Sequence, residues 1–222
     1  MTRFAVLALT LAFTPSVLAQ TGARQDERMR YQACIALSGE DAAAALEEAQ
    51  TWRIEGGGWP AEVCEAHAFI ALNDHGVAAT ILEELAAERR AGMVDEERVD
   101  FLTLAAESRI ALGETEAALT NYDAALAINP AAILTRTGRA RLHRDAADWP
   151  ALSRDAEELI TRVPQLAIGW HLRGVYRLET GDLDGAWADM ERARELEPER
   201  IETLVLRGRI NEARRLAAQS DN

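Results

Sequence analysis

Three prolines, Pro130, Pro164 and Pro198, stand 34 residues apart, and other residues keep step with them. An internal period of this length restricts the chain to an array of repeated units. Divided into windows 99–132, 133–166 and 167–200, the sequence aligns the small residues Ala106, Ala140 and Gly174, with Gly208 extending the column. A second column holds Gly113, Ala147 and Gly181, each followed by an acid, Glu114, Asp148 or Asp182. That pattern reads as the end of one helix followed by an acidic residue opening the next. Two more columns hold Ala118, Leu152 and Ala186, then Ala125, Leu159 and Ala193, and the closing proline stops the second helix. Each window is therefore two helices around a tight turn, and the small residues let the pair approach closely.

Equal period, paired helices and these columns resemble the tetratricopeptide repeat. The third window carries the family pattern at Trp170, Gly174, Gly181, Ala186, Ala193 and Pro198. The middle window departs from it, with Arg136 in the Trp170 column, Ala147 for glycine and Leu152 and Leu159 for alanines, so looser helix packing is expected there. The resemblance implies an all-α, right-handed α-solenoid, with three repeats over 95–200 and a C-terminal capping helix and tail over 201–222. It also implies a partner-binding groove lined by the first helix of each unit. Residues spaced 3, 4 and 3 apart share one helical face. In the three windows they are Asp100, Thr103, Glu107 and Ile110; Leu134, Thr137, Arg141 and Arg144; and Ile168, His171, Val175 and Leu178. Arg141 and Arg144 form a basic spot beside an apolar run at Ile168, Val175 and Leu178, which suits a segment carrying an acid next to a hydrophobic anchor. The competing expectation is that the capping helix covers the apolar run and that nearby acids pair with the arginines.

Residues 1–19 combine one arginine, an apolar run from Phe4 to Phe13, Pro15 and the small-residue pattern ending at Ala19, as an export signal does. Gln20, not cysteine, follows the expected cut, so no lipid anchor is expected and the mature chain reads as a soluble periplasmic protein without membrane insertion. A polar segment over 20–28 is expected to be flexible. Over 29–92 two irregular helix pairs read as degenerate repeats or as a cap, with the joint to the regular array near 90–98. The glycines at 56–58 lack the strand and the following Lys-Ser/Thr of a phosphate loop, and Trp52, Trp59 and Pro60 read as packing that turn.

The formal charge of -13, with 37 acidic against 24 basic residues, makes nucleic acid a poor partner. Two cysteines, Cys34 and Cys64, read in an exported chain as a disulfide, with two buried thiols or a redox pair as alternatives. Arg139, Arg173 and Arg207 share a column, and Asp155 and Asp189 follow the first two at 16 residues. The first window has Ala105 and Asn121 in those columns, so the charges come and go together. Ion pairs Arg139–Asp155 and Arg173–Asp189 across each helix pair are expected. The four histidines, His67, His75, His143 and His171, show no metal-ligand spacing, and no catalytic or cofactor motif is present. The reading is a non-enzymatic scaffold for a protein or peptide partner. A self-assembling subunit, and an enzyme without a recognisable motif, are the alternatives.

Overall fold

The computed structural model describes residues 16–90 and 92–220, and the side chains of 26–90 and 92–219. The apolar run of the expected export signal lies outside the described residues. Eleven helices and no strand are found among those described. They fall into two compact units that divide after Leu72.

The first unit contains α1 (Ser16–Glu40), α2 (Ala42–Ile54) and α3 (Gly58–Ala71), each of which touches the other two. The 20–28 segment, expected to be flexible, lies inside α1. Its Gln, Arg, Asp and Glu are good or tolerable helix formers, and no proline interrupts them. Asp41 starts α2 by accepting from the Ala44 amide at 3.0 Å. Gly57 closes the next turn so tightly that a Cβ there would lie 2.4 Å from the buried Trp52 ring. Arg30 stacks over that ring at 5.1 Å and bonds Glu48 at 2.8 Å and Glu55 at 2.7 Å. Cys34 and Cys64 sit beside Ala49 in a small buried cluster, paired within reach of a disulfide with Cα atoms 6.0 Å apart.

The second unit runs through α4 (His75–Ala87), α5 (Asp95–Ala111), α6 (Thr115–Ile128), α7 (Ile133–Asp145), α8 (Trp149–Arg162), α9 (Ala167–Glu179), α10 (Leu183–Leu196) and α11 (Ile201–Ser220). The boundary thus falls at the turn before α4, not near 90–98, and α4 packs closely on α5. Within each window the first helix ends in one recurring turn. Gly113, Ala147 and Gly181 all have positive φ (76°, 55° and 86°), and the next amide bonds back to the carbonyl five residues earlier at 2.8–2.9 Å. This double closure caps the orphaned carbonyls of the helix. Ala147 adopts the same turn as the two glycines, so the middle repeat keeps the geometry that its sequence put in question.

The column residues Ala118, Leu152, Ala186, Ala125, Leu159 and Ala193 are all fully buried, as are Ala106 and Ala140. The core is a file of clusters, each completed by the following first helix. Leu142 packs on Ala106, Ala118 and Tyr122; Ile168 and Leu172 pack on Ala140, Leu152, Ala156 and Leu159. Leu206 and Ile210 of α11 in turn close the cluster of Val175, Ala186 and Met190. Helices α5, α7, α9 and α11 also touch one another in succession. The first-helix side is therefore drawn together, which makes it the inner face of this array.

Candidate functional site

The ion pairs form a spine between the helices of each pair. Asp155, 2% exposed, accepts from Arg139 Nε at 2.9 Å and Nη2 at 2.6 Å. Asp189, also 2% exposed, accepts from Arg173 Nε at 2.9 Å and Nη2 at 2.8 Å. Such two-pronged contacts fix direction as well as charge. Sequence columns did not disclose two further arginines. Arg136 donates to Asp155 at 3.0 Å, and Arg177 forms an ion pair with Asp189 at 2.9 Å while donating to the Gly185 carbonyl. In the first window, which lacks the spine pair, Arg109 and Asn121 both bond Glu83 of α4, at 2.6–2.9 Å and 2.7 Å. Glu83 is held below the usual carboxylate range, chiefly by the Arg109 hydrogen bond. The clue lay in Arg109, His143 and Arg177, which share a column four residues after the first. These groups are structural, and Arg207 alone of its column makes no hydrogen bond or ion pair among the described residues.

The inner face differs from the stripe expected from helical spacing. Ile168, His171 and Val175 are 6%, 3% and 5% exposed, and Leu178 packs against the cluster completed by α11. They do not form an open apolar anchor, because α11 covers Val175 and Leu178 while Ile168 points into the cluster shared with α8. His171 Nδ1 lies 3.4 Å from Thr203 Oγ1 of α11. Thr103 is half-buried, donates to its own helix at Val99, and shares a 2.8 Å hydrogen bond with Thr135. Thr137 similarly turns back to the Ile133 carbonyl at 2.8 Å. Arg144 bonds its neighbour Asp145 at 2.8 Å.

What stays open is centred on α7. Leu134 is 83% exposed and Ile110, on α5, 39%. Arg141 is exposed, with no hydrogen bond or ion pair among the described residues, although most arginines of this unit hold a carboxylate. Leu134 and Arg141 lie two helical turns apart on one face. The exposed Glu107 carboxyl is pushed up by burial of its surroundings and drawn partly back by Arg141. Beneath them Tyr122 is 1% exposed, and burial lifts its phenol to about 12. Its hydroxyl fits against Gly138, where a Cβ would come within 2.5 Å. The floor of this face is thus built to a close fit, while Leu134, Arg141 and Glu107 stand above it. Among the described residues no three His, Cys, Asp or Glu side chains gather as a metal set, and no helix is long and apolar enough to cross a membrane.

No protein-family model matches the sequence, and no curated protein matches it. Solved structures of tetratricopeptide repeat proteins do match the fold. One is YrrB, described as a TPR protein with an unusual peptide-binding site: 14% identity, 86% of this chain and 97% of that one, TM-score 0.63. A second is a tetratricopeptide repeat protein of Parabacteroides merdae, with 17% identity over 70% of this chain and 60% of that one, TM-score 0.63. A third is a thermophilic TPR protein of Thermus thermophilus, with 18% identity over 84% and 98%, TM-score 0.57. The class is thus an all-helical α-solenoid. In particular, the chain has the tetratricopeptide repeat fold.

Proposed function

We propose that this chain is a non-enzymatic scaffold of the periplasm that holds a segment of a partner protein on the inner face of its second unit. The observation that carries the reading is the unsatisfied Arg141 beside the exposed Leu134, on a face whose floor is closely packed. An exposed guanidinium offers two parallel donors to a carboxylate, and an adjacent leucine offers apolar area. Together they suit a segment with an acidic residue next to a hydrophobic one. Leu134 replaces the buried Ile168 and Val175 as the apolar contact. The peptide-binding site named for YrrB supports a binding role for a fold of this kind. The export-like residues 1–19 and the paired Cys34 and Cys64 support an oxidising, exported compartment.

The test is capture from a cell-envelope extract by the immobilised mature protein and by its Leu134→Asp, Arg141→Glu double variant. The proposal expects specifically retained proteins to be lost with the variant while helicity and melting stay the same. Equal retention by both would refute this surface.

A further inference from the structure

We propose that the outer face of α11 docks an amphipathic helix of a partner protein, one that places a small residue over Gly208 and, three positions on, a carboxylate against Arg207. In the repeat before it, a Cβ at Gly174 would meet Leu206 of α11 at 3.1 Å and, on the second helix, the Ala186 carbonyl and the Asp189 Cβ at 3.5 Å, while Asp189 takes Arg173. The second helix therefore crosses the first with Ala186 and Asp189 lying over Gly174 and Arg173. Arg207 and Gly208 are the same two columns one period later. There, nothing lies within 4 Å of a Cβ at Gly208, and Arg207 is exposed without a hydrogen bond or ion pair among the described residues, acting only at longer range on Glu191 of α10, whose carboxylate bonds Arg194.

The chain does not supply the missing helix as far as Ser220. Arg215 stands in the turn column of Gly113, Ala147 and Gly181, yet α11 continues through it unbroken. The N-terminal half of the bare face is apolar, with Ile201 73%, Leu204 44% and Val205 57% exposed, and beyond Gly208 it carries the exposed Glu212–Arg215 ion pair. Leu204 shares the side of Gly208, and Ile201 and Val205 flank it; one period earlier their counterparts Ala167 and His171 are 2% and 3% exposed, His171 lying against Thr203 of the following first helix. The opposite side is fixed in place. Thr203, Leu206 and Ile210 are at most 1% exposed, Arg209 pairs with Glu179, and Arg214 bonds Asp184 at 2.7 Å. The face is thus a formed first helix lacking the second helix that its register prescribes.

Charge selects the occupant. A second copy crossing parallel at Gly208 would oppose the two Arg207 side chains, and an antiparallel crossing would bring Arg207 no acid, because residue 209 beside the crossing is an arginine already paired with Glu179. Like charges so placed disfavour self-pairing, whereas an acid satisfies Arg207 as Asp155 and Asp189 satisfy its column mates. Binding at α11 does not depend on the inner face around Arg141.

The probe is a fluorescent, helix-stapled peptide of residues 182–197, which carries Ala186 and Asp189 in the required spacing. It is titrated onto the full mature chain. Saturable binding is expected, weakened about tenfold by Arg207→Glu and recovered when the peptide carries Asp189→Arg. Wild-type helicity and melting in the Arg207→Glu variant show that the fold is retained. No saturable binding, or binding indifferent to Arg207→Glu, overturns the proposal; this also covers a peptide that merely displaces its native counterpart on α9. Sedimentation is expected to show no self-association through this face. A dimer abolished by Val205→Asp would assign the face to a second copy and overturn the choice of partner.

Discussion

Asp155 lies under two guanidinium groups, those of Arg136 and Arg139, in a site closed to water. Removing its carboxylate leaves buried positive charge uncompensated. Asp155→Ala is therefore expected to cost about 3 kcal/mol in urea unfolding, the scale for breaking a buried pair; a loss below ~1 kcal/mol would contradict the structural role. Arg136 also shows how one position can change residue and keep its task. It donates to the Pro130 carbonyl at 2.7 Å, and Trp170, one period later, donates to the Pro164 carbonyl at 2.9 Å. The middle repeat thus retains the bond without the aromatic ring. His171 supplies the pH dependence. Burial, followed by Arg200, takes its pKa from the ordinary 6.5 down to about 4; Glu202 opposes this, and Arg144 and Arg141 of α7 add to it. The unfolded chain takes up a proton below pH 6.5 that the folded chain refuses, so stability falls between about pH 6.5 and 4 and no further from this group. The loss should reach about 3 kcal/mol beyond that of a His171→Gln variant. Parallel unfolding curves for the two proteins across that range would contradict it.

Individual helices were largely legible because their signals are local. The Gly113, Ala147 and Gly181 column marks the ends of α5, α7 and α9, and Asp148 and Asp182 accept from the amides three residues on at 3.2 and 2.9 Å. Of these three, Ala147 alone carries a Cβ in the left-handed turn. Ala147→Gly should relieve that strain and raise stability by about 0.5–1 kcal/mol, less the backbone entropy that glycine loses; destabilisation in thermal melts would refute it. Spacing showed which residues share a face but not which neighbour covers that face. For this reason Ile168, His171 and Val175 entered the expected groove while their cover, α11, lies at another point in the chain. Arg109 escaped notice because its acid, Glu83, belongs to a helix outside the regular windows.

At the scale of the whole molecule, the net charge of -13 disfavours a broadly acidic partner. An isolated acid beside an apolar residue meets Arg141 and Leu134 with less of that repulsion. The first unit brings Cys34 and Cys64 within reach of a covalent tie. The Cys34–Cys64 pairing encloses a sequence separation of 30 residues, for which the chain-entropy model gives about 3–4 kcal/mol. The purified protein should show no free thiol when unfolded, and reduction should lower its unfolding midpoint. Two titratable thiols would remove the case for export into an oxidising compartment. The central claim, that the inner face around α7 holds a partner segment, is tested most directly by a photo-crosslinking amino acid at position 134 in living cells. The account predicts a discrete adduct with another protein that disappears when Arg141→Glu is added. No adduct, or one that persists unchanged with Arg141→Glu, would contradict it.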